Sequence, residues 1–180
     1  LLDDGALVDE KDENGSNALM WASQNGHTEI VELLLDRGAL FDEKNMWGYT
    51  ALLYASQSGH TEVVKLLLDK GASVDEKGKD GRTSLMWASM RGHTEVVKLL
   101  LDKGAPVDEK DEDGNTALVR ASLFGHTEVV KLLLDKGALV DQKDEDGKTA
   151  LVLAYNNGQT EVVQLLLGKG ALFDAADARG

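Results

Sequence analysis

Not one of the 180 residues is a cysteine. Disulfides, thiolate nucleophiles and thiolate metal sites are excluded together. A cysteine-free chain agrees with a reducing compartment, so the cytoplasm or the nucleus is the expected setting. Basic residues are in the minority: 19 Lys and Arg stand against 32 Asp and Glu, a formal charge of −13. Phosphate binding needs a basic footprint, so nucleic acid is not an expected partner, and an anionic membrane surface is disfavoured for the same reason. An acidic, solvated surface keeps a chain soluble, and the same field steers a basic protein partner toward it. Long apolar runs are missing too. None approaches the roughly 20 residues that a bilayer crossing requires, and no secretory signal is visible at the N-terminus. The hydrophobic content of 42% is still that of a globular chain.

What the chain has in abundance is itself. The segment GHTEVVKLLLDKGA runs from Gly59 to Ala72, from Gly92 to Ala105 and from Gly125 to Ala138, with near copies starting at Gly26 and Gly158. The starts are 33 residues apart. A fixed period of this size is the signature of a solenoid, one small unit stacked on copies of itself.

The unit spanning 111–143 shows how each copy folds. Asp111 to Asn115 is a turn sequence in which Gly114 suits a positive φ. Thr116 is placed to cap a short helix through its hydroxyl. Leu118 and the small Ala121 share a face of that helix, which lets another helix come close. Gly125-His126 breaks the pattern. Thr127-Glu128 opens a second helix with a carboxylate where the helix dipole favours one. Val129, Val130, Leu132, Leu133 and Leu134 form an apolar stripe wide enough to need neighbours on both sides. Gly137 ends the helix, and Leu139 to Lys143 reads as a short extended arm.

Turn, helix, turn, helix and arm, at a period of 33, resemble the ankyrin repeat, whose signature is a β-turn, two helices and TPLHxA. The resemblance rests on DGNTALVRAS, on GHTEVVKLLLDKGA and on the spacing between them, and it covers essentially the whole chain. It implies an all-α, ankyrin-repeat solenoid of stacked helix-turn-helix units with short β-turn or hairpin arms. Repeats fall at 12–44, 45–77, 78–110, 111–143 and 144–176, with a partial repeat over 1–11 and the start of another over 177–180, all one cooperative unit. Both ends are expected to be cut, because neither carries a polar capping repeat. The family's proline is Ala18, Ala51, Ser84, Ala117 and Ala150 here, and its histidine is Met20, Leu53, Met86, Val119 and Val152. Apolar packing is expected to replace that histidine's hydrogen bonds. The last copy looks poorer, because Gly168 stands where its siblings have Asp36, Asp69, Asp102 and Asp135, and glycine weakens a helix interior.

The copies also serve as an internal comparison. Scaffold positions barely change, whereas a few vary freely, and those are the positions that face the concave groove and turn tips in the family. There the resemblance implies contact with a protein partner. The candidate binding residues are Trp21, Met46, Trp47, Tyr49, Tyr54, Arg82, Trp87, Met90, Arg91, Arg120, Leu123 and Phe124. Trp, Tyr, Phe, Met and Arg are the types enriched at interfaces, and Trp47, Tyr49, Tyr54 and Trp87 are expected on one continuous face. The competing reading is that the aromatic rings pad the helix layer. A spacer within a longer array is the alternative function, and an engineered or selected binder would show the same pattern as recent duplication.

Catalytic chemistry is not expected. There is no HExxH, no GxSxG and no P-loop, and no cofactor is implied. His27, His60, His93 and His126 recur in the same Gly-His turn. Stacked copies lie about 10 Å apart, too far for rings to share a zinc ion with bonds of about 2 Å, so they read as a structural ladder. Asp108, Asp111 and Asp113, and again Asp141, Asp144 and Asp146, crowd one turn each. Calcium takes 6–8 oxygen ligands, which makes these turns candidate calcium sites, although their spacing does not match an EF-hand.

Overall fold

The computed structural model describes residues 8–173. Helices form where the copies repeat. The first helix of each repeat is α1 (Ala18–Gln24), α3 (Ala51–Ser58), α5 (Ser84–Arg91), α7 (Ala117–Leu123) and α9 (Ala150–Asn156). The second is α2 (Thr28–Asp36), α4 (Thr61–Asp69), α6 (Thr94–Asp102), α8 (Thr127–Asp135) and α10 (Thr160–Gly168). Each first helix packs on its own second helix and on the first helices of the neighbouring repeats, and the second helices stack likewise. The two partial repeats expected over 1–11 and 177–180 lie wholly or largely outside the described residues.

First helices start on a side-chain cap. The Thr116 hydroxyl accepts the Val119 N–H at 3.3 Å, Thr83 does the same for Met86, and in the first repeat the Asn17 carbonyl takes the Met20 N–H at 3.0 Å. This satisfies one of the donors that a helix N-terminus leaves open. Second helices start without such a cap, and from α4 onward the His or Gln at that position reaches across to the previous repeat instead. The His60 ring lies 3.0 Å from the Gln24 carbonyl, His93 3.1 Å from that of Gln57 and His126 3.0 Å from that of Met90. Each contact uses Nε2, and a carbonyl only accepts, so these rings carry their proton on Nε2. Gln159 continues the series by donating to the Leu123 carbonyl at 3.3 Å. The histidines are therefore a ladder that ties repeats together, and its glycines leave room for it. Gly92 has φ +74°, and a Cβ there would stand 2.5 Å from His126 Nδ1. Both the backbone and the space demand glycine.

The core is one continuous cluster along the stack. Met20, Leu53, Met86, Val119 and Val152 are all buried, so apolar packing does replace the family's histidine. The second-helix stripe is narrower than its sequence suggests: Val96, Val97 and Leu100 are buried, whereas Leu99 and Leu101 are only half-buried. Two outward ion-pair ladders also join the repeats. Lys103 Nζ lies 2.6 Å from Asp69, Lys136 2.7 Å from Asp102 and Lys169 2.7 Å from Asp135. Hydrogen bonds from these ammonium groups hold the three aspartate carboxyls below their ordinary pKa. A second series pairs Lys44 with Glu76 and Lys77 with Glu109, both at 2.5 Å. Exposed pairs of this kind are screened by solvent and contribute little to stability. Gly168 is the last residue of α10, so the penalty for glycine in a helix interior does not apply. What it lacks is the carboxylate of this ladder.

The arms are reduced to single bridges, Lys11 with Asn17, Lys77 with Thr83 and Lys143 with Thr149. Among the described residues, no helix is long and apolar enough to cross a membrane.

Candidate functional site

The turn tips and first helices form a row of equivalent joints between repeats. At each one the backbone is clasped in the same way. Met46 N–H donates to the Asn14 carbonyl at 2.8 Å, Lys79 to Trp47 at 2.9 Å, Glu112 to Asp80 at 3.2 Å and Glu145 to Asp113 at 3.1 Å. The tip glycine makes the clasp possible: Gly114 has φ +75°, and a Cβ on it would lie 2.8 Å from Glu145 N.

Each turn is organised by its first residue. Asp111 Oδ1 accepts the N–H groups of Asp113 at 3.1 Å and Asn115 at 2.9 Å. Asn45 does the same for Trp47 and Tyr49 at 3.1 and 3.0 Å, and Asp12 for Asn14 and Ser16 at 2.9 Å each. In the first, second and fourth repeats this residue also binds the side chain nine positions on, in the first helix. Trp21 Nε1 donates to Asp12 at 3.1 Å, Asn45 Nδ2 to the Tyr54 hydroxyl at 2.8 Å, and Arg120 Nε to Asp111 at 2.9 Å.

The third repeat breaks the rule, because Gly78 has no side chain to offer. The vacated space holds the ring of Tyr49 from the preceding repeat, and a Cβ on Gly78 would lie 2.5 Å from Tyr49 Cε1. Tyr49 donates its hydroxyl to Asp80 at 2.9 Å and meets the rings of Tyr54 and Trp87 edge-on, with centroids 5.5 and 5.9 Å away. Burial, then its hydrogen bond to Asp80, raises the Tyr49 phenol above its ordinary pKa. The Arg82 guanidinium lies 5.0 Å from the Trp87 ring centroid. Trp87 is consequently 7% exposed, and its buried indole N–H makes no hydrogen bond of normal geometry, its approach to the Tyr49 phenol acting only as a weak opposing influence on that group.

This predicts a strong coupling between residues 49 and 78. Gly78→Asp alone meets the tyrosine ring and destabilises, and Tyr49→Ser alone empties a packed slot. Together they allow the carboxylate introduced at position 78 to take the Trp87 N–H, as Asp12 takes that of Trp21, once the Asp80 carboxylate, whose Oδ1 stands 2.8 Å from a Cβ at 78, swings aside. In urea unfolding the double variant should exceed the sum of the singles by about 2 kcal/mol. Simple additivity would mean that the slot and the indole are unconnected.

The twelve candidate residues therefore separate by environment. Trp21, Met46, Trp47 and Phe124 are about half exposed, and Arg91 is exposed. Tyr49, Tyr54, Arg82, Met90 and Leu123 are partly buried. Trp87 and Arg120 are buried. Arg120 is fixed by Asp111 and, at 3.0 Å, by Asp113. Trp47, Tyr49, Tyr54 and Trp87 do belong to adjoining joints, but only Trp47 of the four offers a largely free face. Trp87 packs against Tyr49 and Arg82.

The acidic turns do not gather as calcium ligands. Asp111 is committed to its turn amides and Arg120, Asp113 to Arg120, and Asp108 to the Leu139 N–H at 3.0 Å. In the next repeat Asp141 accepts the Leu172 N–H at 3.0 Å and Asp144 the Lys148 N–H at 2.8 Å. Among the described residues no three carboxylates or histidines converge as a metal site would require.

What sequence inspection missed is an open cleft of about 310 Å³ at the joint of the fourth and fifth repeats. Its acidic lining comes from Asp113, Asp144, Glu145 and Asp146, beside Arg120 and Leu153. The signal was available. Three repeats earlier, the positions of Arg120, Glu145, Asp146 and Leu153 are held by Trp21, Met46, Trp47 and Tyr54. The variable positions run from aromatic to acidic along the stack.

A family model described as ankyrin repeats (3 copies) matches residues 1–78, 39–111 and 85–177. No curated protein matches the chain.

Proposed function

The chain belongs to the ankyrin-repeat family, and from that premise we propose that it is a non-catalytic module that binds a partner protein through its turn tips and the groove along its first helices. Ankyrin repeats are generally protein–protein interaction modules. The observation that carries the reading for this chain is the trio Trp21, Met46 and Trp47. They lie in adjoining repeats at variable positions and are 48%, 53% and 47% exposed. Large apolar side chains held half in water on a rigid scaffold are what interface hot spots are made of. A pure spacer has no use for them.

Affinity capture from cell extract, with the intact chain beside a Trp21→Ala/Met46→Ala/Trp47→Ala variant, tests this. Specific partners should be retained at least about tenfold less well by the variant, while its circular dichroism melt stays that of the parent. Undiminished capture by a folded variant would move the interface elsewhere and reopen the spacer reading.

A further inference from the structure

Between the two ends of the groove, the joints are already filled. Tyr49 occupies the slot beside Gly78, and Arg82 lies over Trp87 with its Nε 3.7 Å from Asp111. Exposed Arg91 and Phe124 remain along the first helices between them, but the most distinct contact surfaces are at the two outer joints, and their chemistry is opposite. The joint of the first and second repeats presents Trp21, Met46 and Trp47, with no charged residue among these variable positions. The joint of the fourth and fifth presents the cleft lined by Asp113, Asp144, Glu145 and Asp146. The backbone clasp is the same at both, so the difference lies in side-chain chemistry alone.

We infer that the groove takes a protein segment of graded chemistry in one fixed orientation, with a large apolar side chain on Trp21, Met46 and Trp47 and an Arg or Lys in the acidic cleft about three repeats away. This rests on the groove reading above and adds the class and direction of the partner. Repeats stack at about 10 Å, so the two ends are about 30 Å apart. An extended segment spans that in about nine residues and a helix in about twenty. Charge complementarity selects the occupant. A second copy of this chain carries the same −13 and would bring like charge to the cleft, whereas a cationic side chain meets Asp144, Glu145 and Asp146 there, Asp113 being already paired with Arg120. A cleft of about 310 Å³ has room for one long basic side chain.

Selection of random displayed peptides about twenty residues long on the intact chain tests this. Enriched peptides should carry an apolar residue toward one end and Lys or Arg toward the other. Met46→Ala/Trp47→Ala should weaken them at least about tenfold. Asp144→Asn/Glu145→Gln/Asp146→Asn should weaken them about tenfold at low salt and flatten the salt dependence. That variant keeps the turn, because an asparagine already organises it at Asn45. A benzophenone at the apolar end of an enriched peptide should label residues 12–77. Peptides weakened by the first variant but not the second, or labelling the opposite end, overturn the graded partner and leave groove binding standing. Peptides indifferent to both variants, or no enrichment at all, overturn both. A concentration-dependent dimer in light scattering, abolished by Met46→Ala/Trp47→Ala, would make the occupant a second copy and overturn the inference as well.

Discussion

Leu100→Ala should cost about 2–5 kcal/mol in urea unfolding, whereas Leu167→Ala should cost less than about 1. The two are not equivalent positions in their repeats. Leu100 is fully buried in α6, which packs on α5 and lies between α4 and α8. Removing its side chain loses the transfer free energy of its buried carbons and leaves a cavity whose walls belong to a repetitive scaffold. Because the array is held by nearest-neighbour contacts, the loss falls on the coupling between its two halves, and unfolding should become less cooperative as well as easier. Leu167 is 49% exposed, and the residue that matches Leu100 in its repeat is the buried Leu166. Equal costs for Leu100→Ala and Leu167→Ala would mean that something outside residues 8–173, or a second molecule, covers Leu167 in solution.

Arg120→Leu should destabilise by about 3 kcal/mol, and Asp111→Asn in the same chain should restore most of it. The Asp111 side chain is wholly buried. Two turn amides and Arg120 are its principal partners, with Arg82 Nε further off at 3.7 Å. Taking away one partner of a buried ion pair leaves a charge in a medium that solvates it poorly, a larger loss than the pair contributes. Asparagine keeps the acceptor oxygen that organises the turn and removes the charge, and Asn45 fills this role in the second repeat. A thermodynamic cycle over 111 and 120 measures the coupling. A near-neutral Arg120→Leu would show that the turn amides and Arg82 suffice for the carboxylate.

The architecture was legible because the scaffold is written five times. Helix starts, the Gly-His turn, the stacking role of the histidines and the replacement of the family's histidine by apolar packing follow from one copy and a period. The variable positions were legible as a set, but their individual exposure was not. Trp21 and Trp87 hold the same place in their repeats, and one is 48% exposed while the other is 7% exposed. The difference is made by Tyr49, a residue of another copy, and by the missing side chain at Gly78. Arg120 was likewise legible as a variable position, but its commitment to Asp111 was not. The nine-residue pairing from turn to helix underlies both cases, and it shows only across the copies, not within one. The acidic cleft was hidden because Asp113, Asp144 and Asp146 read as calcium ligands within a turn, and Glu145 and Asp146 not as the counterpart of Met46 and Trp47.

The Tyr49 slot also bears on how such an array can grow. Most joints are interchangeable: the histidine, the Lys–Asp pair and the backbone clasp recur, and a duplicated unit brings them with it. A unit inserted after residue 143 would re-supply what it parts and would lengthen the groove beyond Phe124. A unit inserted after residue 77 would carry Tyr49 away from Gly78 and Asp80, opening a hole beside Trp87 and stranding a phenol. A repeat should therefore be gained at the 143/144 seam with little penalty and at the 77/78 seam only at the expense of this packing, so the acidic end of the groove is the one that can change length.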